Sequence, residues 1–297
     1  MEIPLYPECR PLELEDKQIL DEIFHQVQPR ISEFTFANLW LFRHAHEYRL
    51  SNVDNTIVIL GRGYDGEPYF LIPPSGNVEG ALLRLVNDGL TLYGADNIFI
   101  DGYLRGKDVE ITPDRDSFDY LYSRGDLADL PGNRFHKKKN RISYFINRHE
   151  YRVEKFQAGH IHGCLELLTE WRRVHEGMEW DNSSSLESDA TDEALRMAEP
   201  LGLEGVVAIV DERVKAFALG ERLNGDTSVC HFEKADPFLE GLYQLIDREF
   251  NRLLFTDCRF VNREQDLGMM NLRVSKLSYH PVELIEKYRV RKMTGSP

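Results

Sequence analysis

Residues 204–210 (EGVVAIV), 214–223 (VKAFALGERL) and 227–235 (TSVCHFEKA) decide the fold. Each run has strand length. The first two are joined across Asp211, Glu212 and Arg213, and the last two by Asn224 and Gly225, a pair that tight hairpins favour. An antiparallel meander is therefore expected. A helix over 238–254, a strand over 259–262, a helix over 267–276 and a last strand near 277–281 follow it. Upstream, Ile161, Cys164, Leu165, Leu168 and Trp171 share one face of a helix predicted over 160–175, and a second helix is expected over 186–199. This half starts near Tyr151.

The first half has a related order. Ile19, Leu20, Ile23, Phe24 and Val27 recur at spacings of three and four, which predicts an amphipathic helix over 13–27 that Pro29 ends. A helix over 36–44 comes next, then strands over 56–60 and 69–72 separated by Gly61, Gly63 and Gly66, a helix over 78–92 and a strand over 97–100. In both halves a hairpin leads to a helix and then to a short strand, which implies a degenerate duplication. A length of 297 residues suits two domains, placed at 1–150 and 151–297, and the fold class is α/β with mixed sheets.

Composition excludes several classes. With 42% hydrophobic and 29% charged residues the chain is an ordinary globular protein. Its apolar runs are far shorter than the roughly 20 residues that cross a bilayer, so no integral membrane part is expected. The start, Met1 to Pro4, has no basic or apolar leader, which makes the cytoplasm the expected location. Cys9, Cys164, Cys230 and Cys258 are widely spaced and form no metal or disulfide pattern. His160, His162 and His175 lack a ligand spacing, so no metal is expected, and Trp40, Trp171 and Trp180 read as core or pocket wall. Residues 294–297 read as a tail. The formal charge of −14 opposes general nucleic-acid binding, yet residues 134–152 hold seven Lys or Arg against one acid. The rest of the chain carries 29 basic against 49 acidic residues, so one basic patch lies on an acidic body.

Two groups of residues carry candidate chemistry. Alternation along a strand places His231 and Glu233 on one face and Cys230, Phe232 and Lys234 on the other. An ionisable pair on a central strand is costly without partners, and a general base with an orienting carboxylate would justify it. The competing reading is an edge strand with a solvated face. The second group is Asn262, Arg263, Glu264, Gln265 and Asp266, a polar loop at a strand end, followed by Arg273 and Lys276 on one side of a helix. Asp266 is placed to cap that helix, and the two cations are placed either to hold a developing negative charge or to face solvent.

The blocks HFEKA (231–235) and NREQDLG (262–268), with Leu272, Arg273, Lys276, Tyr279 and Pro281, resemble the C-terminal catalytic domain of phosphatidylglycerol lysyltransferase and its soluble relatives. RGDL (124–127), PGNR (131–134) and KKKNR (137–141) are similar to the same group. The resemblance implies two tandem acetyltransferase-like (GNAT) domains related to the Fem peptidyl transferases, the second carrying the active site. It also implies transfer of an amino acid from aminoacyl-tRNA to a hydroxyl or amine on a small-molecule or lipid acceptor. His231 or Glu233 would then be the base, and Lys234, Arg273, Lys276 and Tyr279 the other catalytic groups. Asn262, Arg263, Glu264, Asp266, Lys137, Lys138 and Arg141 would contact substrate.

Residues 236–242 (DPFLEGL) depart from the pyrophosphate loop of CoA-using GNAT enzymes, because Gly241 beside Glu240 is a poor phosphate cradle. CoA is therefore the alternative donor, giving a CoA-dependent N-acyltransferase, and a non-enzymatic binding module on the same scaffold is the third reading. In the basic segment Asn133 is placed to cap a helix that buries Phe135, Ile142, Phe145 and Ile146. Lys137, Arg141, Tyr144 and Arg148 then form a second stripe, suited to tRNA phosphates or an anionic membrane surface, or simply solvated.

Overall fold

The computed structural model describes residues 2–175 and 182–293, apart from the side chains of 175 and 182–185. Trp180, the His175 ring and the tail 294–297 lie outside the described residues. In chain order the strands are β1 (Arg10–Pro11), β2 (Arg49–Val53), β3 (Thr56–Arg62), β4 (Pro68–Leu71), β5 (Thr91–Ala95), β6 (Val109–Pro113), β7 (Asp119–Ser123), β8 (Tyr151–Lys155), β9 (Glu204–Val210), β10 (Arg213–Arg222), β11 (Thr227–Ala235), β12 (Phe260–Asn262), β13 (Glu283–Ile285) and β14 (Tyr288–Lys292). The helices are α1 (Lys17–Val27), α2 (Phe36–Leu41), α3 (Val78–Asn87), α4 (Asn97–Phe99), α5 (Arg124–Asp129), α6 (His136–Ile146), α7 (Ile161–His175), α8 (Asn182–Arg196), α9 (Ala198–Leu201), α10 (Leu242–Leu253) and α11 (Met270–Leu277).

The chain forms two compact units. The first comprises residues up to Tyr120, Gln265–Val274 and those from Leu284 on, and the second comprises Leu121–Glu264 and Ser275–Glu283. One seven-stranded sheet has the order β1-β2-β3-β4-β5-β14-β6 and the other β13-β7-β12-β11-β10-β9-β8. Each has four antiparallel strands, a parallel pair at the fourth and fifth (β4 with β5, β11 with β12) and an antiparallel sixth, β14 or β7. In each, one helix connects the parallel pair, α3 in the first and α10 in the second. The duplication is therefore one of topology.

These bounds differ from a division at residue 150. The sixth strand of the first sheet comes from the C-terminal end of the chain, and that of the second sheet lies before residue 150. Helices α5 and α6 pack on α10 and belong with it. Sequence order alone does not reveal such an exchange.

Two expected strands are misplaced. Residues 97–100 are not a strand, because the Asp96 side chain accepts a hydrogen bond from the Phe99 N–H at 2.8 Å and caps a helical turn there. The short strand of the first half is β5 instead. Nor is 277–281 a strand: Leu277 ends α11, and the C-terminal strands are β13 and β14. The meander β9-β10-β11 has the expected course. In the first unit Val53, Val58, Phe70, Leu82, Leu85, Leu92 and Val290 form the core, and in the second Val207, Phe217, Leu219, Phe232, Leu245 and Phe250 are buried. No helix among the described residues is long and apolar enough to cross a membrane.

One irregularity places the site. The β10–β11 ladder pairs Leu219 with Phe232 and Gly220 with Cys230, so His231 is the extra residue of a β-bulge. A Cβ on Gly220 would lie 2.0 Å from the Val229 carbonyl oxygen and 2.9 Å from the Phe250 ring. Only glycine lets the two backbones approach this closely. Gly220→Ala is expected to lower stability by about 2–3 kcal/mol, as overpacking does, read as a fall in the midpoint of thermal unfolding.

Candidate active site

Strand β11 has two neighbours for only part of its length. Its parallel pairing with β12 covers Thr227, Ser228 and Val229 and ends at Asn262, while the β10 ladder continues to Ala235. β11 is thus an inner strand rather than an edge. From Cys230 onward, however, the side toward β12 has no strand partner among the described residues, and the two parallel strands diverge. Asn262 makes the turn-off: its Oδ1 accepts from the Glu264 N–H at 2.7 Å, and Glu264 has φ of 54°. The wholly buried Asn262 thereby shapes the turn.

The diverging strands carry a cluster of charges. Arg263 donates to Glu233 Oε2 at 2.9 Å and to Asp247 Oδ1 of α10 at 3.0 Å, with its guanidinium 5.1 Å from the Tyr279 ring and 5.9 Å from the Tyr122 ring. Two carboxylates therefore share one guanidinium. Burial pushes the Glu233 carboxyl up, Arg263 opposes it and Asp247 adds to it, leaving the group at about 7. Burial likewise raises Asp247, whose Oδ2 is buried without a hydrogen-bond partner. Lys138 reaches the cluster from α6: its Nζ is 3.6 Å from the centre of the Tyr279 ring and donates to Ser278 Oγ at 2.7 Å. Burial lowers its ammonium to about 8. The phenol of Tyr279 is pushed well up by burial.

His231 has a different role from the one expected. Its side chain is 1% exposed, with Nε2 2.9 Å from Glu221 and Nδ1 2.7 Å from Glu264. Burial alone would favour the neutral ring, but hydrogen bonds to the two carboxylates more than offset it and push the pKa up to about 10. A doubly protonated imidazolium cannot accept a proton, so His231 is not the base, and Glu264 is engaged in holding it. The bulge also breaks the alternation that put His231 and Glu233 on one face.

The remaining expected residues divide among separate partners. Lys234 donates to both oxygens of Glu187 at 2.8 and 2.9 Å and lies 4.0 Å over the Trp171 ring, away from Glu233 and its partners. Lys276 donates to the carbonyls of Arg263 and Glu264 and so holds the turn after β12. Arg273 pairs with Asp266 and Asp116 in the first unit. Asp266 is not the cap of α11: its oxygens accept from Arg115, Tyr120, Arg273 and the Gly268 N–H. Although burial acts the other way, those bonds hold the carboxyl well below the usual range. Arg273 and Lys276 therefore do not converge on one anion.

Along α6, Phe135, Ile142 and Phe145 are buried but Ile146 is 40% exposed. Asn133 opens a 3₁₀ turn and does not cap the helix. Lys137, Arg141, Tyr144 and Arg148 are exposed as one stripe, with the Arg148 guanidinium 3.7 Å over the Tyr144 ring. Lys139 donates to the Gly132 carbonyl at 3.1 Å. The Gln157 N–H donates to His160, and His162 lies against Glu166, so these rings serve separate partners. Burial raises the Cys164 thiol to about 12.

Asp247 and Glu221 were not anticipated. Asp247 had a weak signal, since helical spacing sets it beside the margin of the apolar face of Leu242, Leu245, Ile246 and Phe250 on α10, where it is buried. Glu221 had none, because its meeting with His231 depends on the bulge.

Two sheets of one strand order, each with a parallel pair at its fourth and fifth strands, define a mixed α/β protein built on a duplicated topology. Residues 24–291 match the family described as phosphatidylglycerol lysyltransferase, C-terminal, and the chain belongs to that family. A solved structure of a conserved protein of unknown function from Bacteroides thetaiotaomicron is similar at 28% identity and a TM-score of 0.88, over 96% of this chain and 99% of that one. The structure of L-PGS from Bacillus licheniformis matches with a TM-score of 0.64 at 11% identity, over 100% of this chain and 95% of that one. An uncharacterised protein of Mycoplasmoides gallisepticum is 23% identical over 201 residues, which is 62% of this chain and 59% of that protein's length.

Removing the His231 ring takes a buried hydrogen bond from each of Glu221 and Glu264. His231→Gln is expected to cost about 3 kcal/mol or more in chemical denaturation at pH 7. The folded pKa near 10 lies above the ordinary 6.5, so the stabilisation is fully present below 6.5 and is lost as pH rises through 10. The gap between parent and variant should therefore narrow from pH 7 to pH 10.

Proposed function

We propose that the protein transfers an amino acid from aminoacyl-tRNA to a hydroxyl or amine acceptor in the opening between β11 and β12. The observation that carries this reading is the position of Glu233: in the unpaired half of β11, on a guanidinium that it shares with Asp247, with its carboxyl at about 7. A base near neutral pH takes the proton of an attacking hydroxyl or amine without being locked in either state. Arg263 keeps the carboxylate oriented. Family membership supports the acyl-transfer chemistry, and the exposed stripe Lys137, Arg141, Tyr144 and Arg148 supplies cations with an aromatic ring for an RNA backbone.

CoA is the weaker donor. A CoA pyrophosphate needs the open N-terminus of the helix after β11, and here Gly241, which opens α10, is packed against α6. A Cβ on Gly241 would sit 2.0 Å from the Arg141 carbonyl oxygen.

Purified protein, tRNA charged with labelled amino acids and a panel of hydroxyl and amine acceptors, with acetyl-CoA offered in parallel, test the reading. Label is expected to leave tRNA for an acceptor, and Glu233→Gln should lower that rate by about 10²–10⁴-fold. The active form of Glu233 is the carboxylate, so the rate should rise as pH passes through about 7. Transfer from acetyl-CoA alone, or an unchanged rate in the variant, would overturn it.

Binding is testable without the acceptor. Association with tRNA is expected to weaken with salt, and replacing Lys137 and Arg141 with Gln should flatten the log–log salt slope by about 1–2. Anionic vesicles are the control. Binding to vesicles and not to tRNA would make the stripe a membrane contact, and binding to neither would make it a solvated helix face.

A further inference from the structure

Lysines 137, 138 and 139 are adjacent, but helical spacing separates their fates. Phe135, Lys138, Ile142 and Phe145 follow at intervals of three, four and three, so Lys138 occupies the buried stripe of α6 while Lys137 and Lys139 are exposed. A lysine on an apolar stripe is costly unless its ammonium is matched by acceptors. Other sheltered lysines here are matched. Lys234 has both oxygens of Glu187, Lys276 has two carbonyls, Lys215 has Asp236, and Lys287 has three carboxylate oxygens from Glu33 and Asp119.

Lys138 has one oxygen acceptor, Ser278 Oγ, and the face of the Tyr279 ring. It forms no ion pair among the described residues. The charged groups that act on it are Asp247 of α10, Glu233 of β11, Arg263 after β12 and Arg141 on its own helix. The acids favour its ammonium and the arginines oppose it. No further acceptor meets it among the described residues, and the Tyr279 ring beneath it also lies 5.1 Å from the Arg263 guanidinium that holds Glu233.

We infer that Lys138 is a further catalytic residue of the proposed transfer, the acid whose ammonium protonates the ribose oxygen as the aminoacyl ester is cleaved. The inference rests on the aminoacyl-transfer reading. As the acceptor oxygen or nitrogen bonds to the ester carbonyl carbon, Glu233 takes the acceptor's proton and the carbonyl pair moves onto oxygen. When that pair returns, the bond from carbon to the ribose oxygen breaks, and that oxygen takes a proton from Lys138. The nucleoside leaves as a neutral hydroxyl, with Glu233 protonated and Lys138 a neutral amine. Transfer of the proton from Glu233 to the more basic amine restores both groups, so no other reactant is consumed. Tyr279 is the less suitable acid because burial raises its phenol well above its ordinary value.

The dependence on the leaving group tests the assignment. Lys138→Arg keeps a cation that does not give up its proton, and Lys138→Met removes the charge. With saturating aminoacyl-tRNA both variants are expected to lose about 100-fold or more in kcat. With an aminoacyl thioester, whose thiolate leaves without being protonated, they should stay within about threefold of the parent, whereas Glu233→Gln loses rate with both donors. Thermal melts check folding, and Lys138→Arg carries the test should Lys138→Met unfold. Equal losses on both donors, or a retained kcat on tRNA, would overturn the role of Lys138 and leave the transfer reading intact. A parent protein that moves no amino acid from tRNA would remove that reading and this one together.

Discussion

The site depends on a parallel strand pair that stops after three residues. Where β11 leaves β12, half of a strand inside the sheet has a neighbour on one side only. Backbone groups there are costly to bury unpaired, so such an opening persists only if the surrounding structure holds it. Gly220 holds one flank by admitting the bulge at His231, and the Asn262 turn with the Lys276 ammonium holds the other. The charged side chains that gather in the opening follow from this geometry.

Charge pairing explains which of those side chains are available for chemistry. A buried charge is tolerated when partners satisfy its hydrogen-bonding atoms, and most here are satisfied fully. His231 between two glutamates and Lys287 among Glu33 and Asp119 are fixed in their charged states. Glu233 and Lys138 are matched less completely. The guanidinium that holds Glu233 is shared with a second carboxylate, and Lys138 rests on a ring and a hydroxyl. Incomplete matching puts both groups near neutrality, which links the stability of the cluster to its capacity to move protons.

The repeated strand order places a parallel pair at the same point in both sheets, yet the surroundings differ. Next to β4 and β5 the first unit has tyrosines: Tyr69 donates to the Tyr48 hydroxyl at 3.2 Å, and Tyr93 donates to Ser117 at 2.8 Å. Their phenols are raised by burial, and Lys287 nearby is held as an ammonium by Glu33 and Asp119, so none of these groups changes charge near pH 7. One topology thus carries a charged, incompletely paired opening in one unit and a packed aromatic interior in the other, which is why fold alone does not assign chemistry.

The sequence by itself determined the elements whose signals are local. Periodicity marked the longer helices, strand-length runs marked the meander from Glu204 to Ala235, and the Asn224–Gly225 pair marked its hairpin. The motifs around Glu233, Arg263, Lys138 and Tyr279 identified most of the residues gathered at the opening. Tertiary structure alone decided their partners. His231 became an imidazolium because a bulge and a turn brought Glu221 and Glu264 to its two nitrogens, residues 10 and 33 positions away. Asp266 and Arg273 went to the first unit, and the sixth strand of each sheet came from outside its own half of the sequence. The physical reason is range. Helical and strand periods are set by neighbours within a few residues, whereas the charge state of a buried group is set by whatever the fold places within about 4 Å of it.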